Sequence, residues 1–256
     1  MSASGLTELA RQAWSLHDGA SDHQWLVRPS APVLYFGNFP VYERAKVRIV
    51  TVALNPSLVE FPKQTPWLRF RQTSVSDLKD YLNVLNTYFH FNPYSRWFSS
   101  YDQLLRGSGS SYYGKLFDTA LHTDVGSVLA TDPTWRKLEK TVRDSLRADG
   151  VALWHGLLEV LSPNIVILST AKEWLKLIEF KPLSDWFPII TFGAKKDLEP
   201  RKTPYLVKGR WYRLSPQNIA LFAYAPAANT PLGSLSKEQK LIAGQEITEA
   251  WNARKN

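Results

Sequence analysis

Two short segments of the chain, residues 48–54 and 164–169, carry apolar residues on both faces and are rich in β-branched residues. A strand without a polar face has to be buried on both sides, which is the position of a central parallel strand. Helical spacings of apolar residues follow these segments. We therefore predict an α/β fold in which residues 1–256 form a single three-layer α/β/α domain around a central, mostly parallel sheet.

The remaining elements follow from the periodicity of the apolar residues. An N-terminal helix is expected to pack on the domain. In sheets of this kind ligands bind beyond the carboxyl ends of the strands, so the residues that follow each strand are the candidates for a site. The predicted helices cover residues 5–17, 76–89 with Ser76 as its cap, 134–147, 151–161, 172–178 and 236–251. The further predicted strands cover residues 33–36, 119–125, 187–193, 207–214 and 218–224.

The composition excludes several classes of protein. The chain has 0 Cys, which excludes a disulfide scaffold, a thiol nucleophile and Cys-ligated zinc. No apolar run approaches the ~20 residues of a membrane span, and no signal peptide is visible, so we expect a cytoplasmic protein without a membrane partner. We also expect a monomer. No metal and no cofactor are expected, because no Asp/Glu/His cluster has metal-ligand spacing. A net charge of +8, together with 10 Trp, 11 Tyr and 12 Phe, favours a polyanionic partner such as DNA.

Asn55 follows the first buried strand in the sequence Asn55-Pro56-Ser57. Its amide carries both a donor and an acceptor, so it could hold a water molecule in a fixed orientation. Ser57 could contact a phosphate group. Asn-Pro is also a common turn dipeptide, and a purely structural turn is the alternative.

Asp124 lies at the end of the predicted strand 119–125. A carboxylate in that place is costly to bury without partners, which makes it a candidate for a functional role. The alternative is a structural carboxylate that accepts hydrogen bonds from nearby backbone amides.

Two loops carry further candidates. Phe91 or Tyr94 could form a wall on which a base stacks, with Arg96 meeting phosphates, although a solvated basic face over an aromatic core is an equal alternative. Loop 225–234 carries Asn229 and Leu232 near its tip, and an exposed apolar tip can wedge into a duplex from which a base is extruded. A packing loop before the last helix is the alternative.

Five segments resemble, in their order along the chain, the motifs of the uracil-DNA glycosylase superfamily. The resemblance implies a metal-free, monofunctional DNA glycosylase that flips out a base and hydrolyses its N-glycosidic bond to leave an abasic site. The segments are Ala53-Leu-Asn-Pro-Ser57, Asn92-Pro-Tyr-Ser-Arg-Trp-Phe98, the strand end His122-Thr-Asp124, Ile165-Val-Ile-Leu-Ser-Thr-Ala171, and the loop Tyr224 to Leu232.

The resemblance also implies roles for individual residues. Asn55 would position the attacking water, and Asp124 would read the base. The flipped base would lie against Ala53, Leu54 and either Phe91 or Tyr94, and Leu232 would be the wedge. The residues expected to contact the DNA backbone are Ser57, Arg96, Ser110, Ser169, Lys172 and Asn229.

The sequence departs from the family pattern at three places. Ala53 and Ser57 replace glycines, and the family's third-motif His is absent, since Tyr224 or Ala225 stands there. Asp124 replaces the base-reading Asn. An ionised Asp only accepts hydrogen bonds, which suits the N4 amino group of cytosine, and a neutral Asp could also donate to cytosine N3.

The departure at Asp124 therefore favours a cytosine-type base. Removal of ordinary cytosine would destroy the host genome, whereas some members of the superfamily are implicated in defence against phages with glucosylated hydroxymethylcytosine. The resemblance thus implies a modified cytosine as substrate and a role in antiphage defence. The alternatives are uracil or mismatch repair, a non-catalytic DNA-binding module with this fold, and an α/β enzyme that acts on a small metabolite.

Overall fold

A computed structural model describes residues 3–115, 117–227 and 230–254 of the chain. It confirms the predicted class, since the fold is α/β with a central, mostly parallel, mixed sheet flanked by helices. No helix in the described ranges is long and apolar enough to cross a membrane.

The elements are numbered along the chain. The α-helices are α1 (Ala3–Gly19), α2 (Phe39–Tyr42), α3 (Leu78–Asn86), α4 (Tyr88–Phe91), α5 (Ser95–Gly107), α6 (Lys140–Leu161) and α7 (Lys237–Ala253). The strands are β1 (Ile49–Ala53), β2 (Ser110–Ser111), β3 (Asp118–Thr119), β4 (Leu121–Asp124), β5 (Ile165–Leu168), β6 (Lys181–Pro182), β7 (Phe187–Ala194), β8 (Pro200–Ser215) and β9 (Asn218–Tyr224). Two 3₁₀ helices cover Trp135–Lys137 and Lys172–Leu177.

The chain divides into two compact units, each made of three segments. The first unit comprises Met1–Pro40, Ala53–Tyr94 and Leu121–Leu161. The second comprises Val41–Val52, Ser95–Ala120 and Ser162–Asn256.

The second unit carries a mixed sheet with the strand order β1-β5-β9-β8-β6. Strand β7 lies off this path and pairs antiparallel with β8. β1, β5 and β9 are parallel, with Val50 opposite Val166 and Val166 opposite Phe222. These three residues are fully buried, as expected for strands that are apolar on both faces. β8 and β9 run antiparallel. The predicted strands at 187–193, 207–214 and 218–224 are confirmed, and β8 begins earlier than predicted.

The first unit contains α1, α3, α4, α6 and β4. α1 packs against α6, where Leu9 lies beside Gly156, and against α3, where the Trp14 and Tyr81 rings are 5.7 Å apart. β4 is buried along its whole length. Helix α6 packs against β4, where the Trp154 Nε1–H donates to Thr123 Oγ1 at 3.1 Å.

Three predicted elements differ in the structure. Residues 33–36 are not a strand: only Phe36 forms a bridge, with His122. Residues 134–147 and 151–161 do not form two helices, because α6 runs unbroken through Gly150, which faces the backbone of Gly126 too closely for any side chain.

The predicted helix 76–89 also differs, since it is divided between α3 and α4. Asp77, and not Ser76, caps α3, because its carboxylate accepts from the Asp80 N–H at 2.8 Å. The predicted helix over 172–178 is a 3₁₀ helix. The closing helix begins as predicted, after Ser236, which forms a capping box with Gln239.

Candidate active site

The side chain of Asn55 is held by its amide nitrogen. Nδ2 donates to the carbonyl oxygens of Pro56 at 2.6 Å and Leu129 at 3.3 Å, and it lies 2.9 Å from Thr131 Oγ1. Carbonyl oxygens only accept hydrogen bonds, so they fix which end of the amide is the nitrogen. The Oδ1 atom is therefore the end left to accept a hydrogen bond from a water molecule.

Backbone hydrogen bonds bring the end of β4 beside the Asn55 loop. The Val125 N–H donates to the Ala53 carbonyl at 3.0 Å, and the Gly126 N–H donates to the Leu54 carbonyl at 2.8 Å. Asp124 immediately precedes this pair of contacts. Both catalytic residues predicted from the sequence thus lie on neighbouring stretches of backbone within the first unit. The carbonyls of Ala53 and Leu54, both expected beside the base, are already engaged by these backbone bonds.

Asp124 is a buried carboxylate with an unsatisfied oxygen. It is 5% exposed, and among the described residues its Oδ1 accepts no hydrogen bond. The Nε2 atom of His122 lies 3.8 Å from Oδ1, which is too long for a hydrogen bond. Burial raises the pKa of Asp124, and the neighbouring His122 opposes that rise. The side chain is therefore biased towards the neutral acid and retains an oxygen that can accept a hydrogen bond from a ligand.

A second buried carboxylate, Glu60, lies near Asp124, and the sequence analysis did not single it out. It is 4% exposed, and its Oε2 accepts from the Tyr88 hydroxyl at 2.8 Å. The same hydroxyl oxygen accepts from the Tyr94 N–H at 2.9 Å. Burial raises the pKa of Glu60 to about 7, a rise that Asp124 adds to and that Tyr88 and Arg69 oppose. The only signal in the sequence is one acidic residue within the apolar segment Leu58-Val-Glu-Phe61.

Aromatic rings pack around these carboxylates. Phe36 contacts Tyr88 edge to face at 4.8 Å and lies 5.6 Å from the His122 ring. Phe70 lies 4.9 Å from Tyr88 and stacks on Phe61 at 5.2 Å. These rings form an apolar wall that strengthens the desolvation of both carboxylates.

The structure places the two rings predicted to stack on a base at the edge of this region. Phe91 ends α4 and is 53% exposed. Tyr94 is half-buried, and the Arg69 guanidinium lies 5.1 Å from its ring centroid. Arg69 also donates to the backbone carbonyls of Val59 and Asn92, so it ties the segment that carries Glu60 to the segment that carries Tyr94.

The predicted DNA-backbone contacts divide by exposure. Arg96 and Lys172 are exposed, and Ser57 is half-buried with its hydroxyl accepting from the Val59 N–H at 3.3 Å. Ser110 and Ser169 are buried, so the expectation that they face a phosphate does not hold. The Ser110 hydroxyl donates to the Asp118 carbonyl at 2.8 Å, and Ser169 Oγ accepts from the backbone of loop 225–234 at 2.9 Å.

Leu232 is not the exposed apolar tip that the sequence predicted. It is 1% exposed, has a positive φ of 48°, and donates its N–H to Ser169. The loop therefore turns this side chain inward, where it cannot serve as a wedge in this conformation. Asn229 lies outside the described residues. Tyr224, the last residue of β9, is buried, and its hydroxyl donates to the Thr170 carbonyl at 3.3 Å.

Among the described residues, no group of three or more His, Cys, Asp or Glu side chains could hold a metal ion. The chemistry that these residues offer is that of a fixed amide and of two buried carboxylates with raised pKa values, one of which retains an unsatisfied oxygen. No family model, curated protein or solved structure matches the chain.

Proposed function

We propose that this protein is a monofunctional DNA glycosylase that flips out a modified cytosine and hydrolyses its N-glycosidic bond. A water oxygen forms the new bond to C1′ of the sugar, the bond from C1′ to N1 of the base breaks, and the base leaves with a proton, so that an abasic site remains. A base such as the glucosylated hydroxymethylcytosine of phage DNA fits this chemistry and gives the protein a role in antiphage defence.

The observation that carries the proposal is the unsatisfied, buried Oδ1 of Asp124. A buried carboxylate oxygen without a partner is costly, and a ligand that donates a hydrogen bond would relieve that cost. The exocyclic N4 amino group of cytosine is such a donor. Because the pKa of Asp124 is raised, the neutral acid can also donate to cytosine N3 and make the base a better leaving group.

The fixed orientation of Asn55 supports the second half of the reaction. With Nδ2 held by the Leu129 carbonyl and the Thr131 hydroxyl, Oδ1 can hold the attacking water against an oxocarbenium-like sugar. An amide is a feeble base, so most of the acceleration has to come from orientation and electrostatics.

The experiment that tests this function incubates the protein with DNA duplexes containing uracil, cytosine, hydroxymethylcytosine or glucosylated hydroxymethylcytosine, and then reveals abasic sites with alkali. We expect cleavage at the modified cytosine alone, and its loss in the Asp124→Asn and Asn55→Ala variants. Asp132→Asn is the matched control, because Asp132 is a partly exposed carboxylate that pairs with Lys63 at 3.0 Å.

Two other results would replace this proposal. Cleavage of uracil DNA, unaffected by Asp124→Asn, would make the protein a repair glycosylase with a structural Asp124. DNA binding without cleavage of any of the four substrates would make it a non-catalytic binding module.

A further inference from the structure

Three cations and two aromatic rings of the second unit form a cluster that the proposed chemistry does not use. It consists of Lys172, Lys208 and Arg210 together with Trp186 and Tyr224, and we call it the cation–aromatic patch. The sequence analysis named Lys172 as a DNA contact and Tyr224 as a departure from the family pattern. Lys208 and Arg210 belong to β8, Tyr224 ends β9, and Trp186 lies in the segment before β7.

The patch lies where open α/β sheets bind their ligands. Tyr224 is the last residue of β9, and its register partners are Leu168, the last residue of β5, and Lys208 of β8. Lys172 opens the 3₁₀ helix that follows β5. The patch is therefore at the carboxyl ends of the two parallel strands β5 and β9.

Lys208 is held above both rings. Its Nζ lies 4.6 Å from the Trp186 ring centroid and 5.2 Å from that of Tyr224. The ring faces carry partial negative charge, which keeps the ammonium group in place but does not neutralise it. Arg210 is also fixed, because its Nε donates to the Ser184 carbonyl at 2.9 Å.

The cations of the patch are close enough for their charges to act on one another. Burial lowers the pKa of Lys208, and the charges of Lys172 and Arg210 lower it further. Within the described residues, neither Lys172 nor Lys208 forms an ion pair with a carboxylate. Cations that are brought together and left unpaired favour an anionic ligand.

We propose that the cation–aromatic patch binds the phosphate backbone of a DNA strand. DNA is the anionic ligand that the proposed function supplies, and phosphate contacts position a protein on DNA without reading its sequence. The inference rests on the proposed function in that the ligand is the same DNA, but it requires no base excision.

The test measures binding of a short fluorescein-labelled, unmodified DNA duplex by anisotropy over a range of salt concentrations. We expect the Lys172→Gln/Lys208→Gln double variant to bind about tenfold more weakly, and each single variant to lower the salt slope by about 0.9. Lys202→Gln is the matched control, since Lys202 is an exposed lysine on the same strand as Lys208 and the substitution removes the same charge.

Unchanged affinity and salt slope in both single variants would overturn the proposal. Lys172 is exposed and its side chain forms no hydrogen bond or ion pair within the described residues, so a folding defect would not explain a loss in Lys172→Gln. Inorganic phosphate should compete no better than chloride at equal ionic strength. If phosphate competes specifically, the patch is a small-anion site and the proposal falls. Because the duplex is unmodified and the readout is binding alone, failure of the patch and failure of the glycosylase reaction are distinguishable.

Discussion

The Tyr88 hydroxyl donates a 2.8 Å hydrogen bond to Glu60 Oε2 and accepts one from the Tyr94 backbone. This single phenol thereby joins a buried carboxylate to the loop that begins α5. Tyr88 and Glu60 are almost fully inaccessible to solvent, and Asp124 lies close enough for its charge to act on Glu60. The first unit thus buries two carboxyl groups that cannot both ionise without cost.

The raised pKa of Glu60 makes stability depend on pH. The folded pKa is about 7 against a usual 4.5, so between these values the folded state binds a proton that the unfolded state has lost. The free energy of unfolding should therefore fall as the pH rises from about 4.5 to about 7. Glu60→Gln cannot ionise and still accepts from Tyr88, so we expect it to be more stable than the wild type at pH 8, by up to roughly 3 kcal/mol. Urea unfolding at several pH values measures this, and identical pH profiles would contradict it.

Removal of the phenol should be destabilising. Tyr88→Phe leaves the Tyr94 N–H without its acceptor and Glu60 without its donor, so we expect a loss of about 1–3 kcal/mol at pH 5. The loss should be coupled to Glu60, because the two groups share one hydrogen bond. A double-mutant cycle with Glu60→Met, which removes the acceptor, measures the coupling in urea unfolding, and strictly additive effects would argue against the shared bond.

If the neutral acid of Asp124 protonates the departing base, the rate of base release should fall as the pH rises through the pKa of Asp124. Glu60 lies near Asp124 and has a raised pKa of its own, so it could also titrate. Single-turnover rates on modified-cytosine DNA therefore need to be followed in the wild type and in Glu60→Gln. We expect the decline in both. A rate that rises with pH, or a decline that disappears in Glu60→Gln, would assign the proton to another group.

The hydrogen bonds that Asn55 Nδ2 donates should contribute to the stability of the fold. In Asn55→Asp an oxygen replaces Nδ2 and faces the Pro56 and Leu129 carbonyls, which can only accept hydrogen bonds. We expect a loss of stability of about 1–3 kcal/mol, measured by urea unfolding at pH 8. Asn83→Asp on the exposed face of α3 is the matched control and should change stability little. Equal effects of the two substitutions would mean that the Nδ2 contacts contribute nothing.

Helix α6 carries a matched pair of glycines. A Cβ on Gly150 would collide with the backbone of Gly126 next to the Asp124 strand, whereas a Cβ on Gly156 would meet only the flexible end of Leu9 at 3.2 Å. Alanine is favoured over glycine in a helix by about 1 kcal/mol. We expect Gly156→Ala to be neutral or stabilising and Gly150→Ala to lower the melting temperature markedly. Similar melting temperatures for the two variants would show that Gly150 does not pack closely against the Gly126 backbone.

Local sequence patterns determined much of the framework. Residues 48–54 and 164–169 are apolar on both faces and form buried parallel strands, and the last helix covers Lys237–Ala253 where residues 236–251 were predicted to be helical. The positions of Asn55 and Asp124 at strand ends follow from the same patterns, because strand periodicity depends on neighbouring residues only.

The tertiary structure decided which side chains are buried and what they contact. Glu60 meets Tyr88 across 28 residues of sequence, and no local pattern reports such a contact. Leu232 has an apolar side chain in a Pro- and Gly-bearing loop, and this pattern predicted an exposed tip. In the structure a positive φ and a hydrogen bond to Ser169, 63 residues away, turn the side chain inward. Burial depends on packing between segments distant in sequence, and packing sets both the pKa of a carboxylate and the access of a loop to solvent.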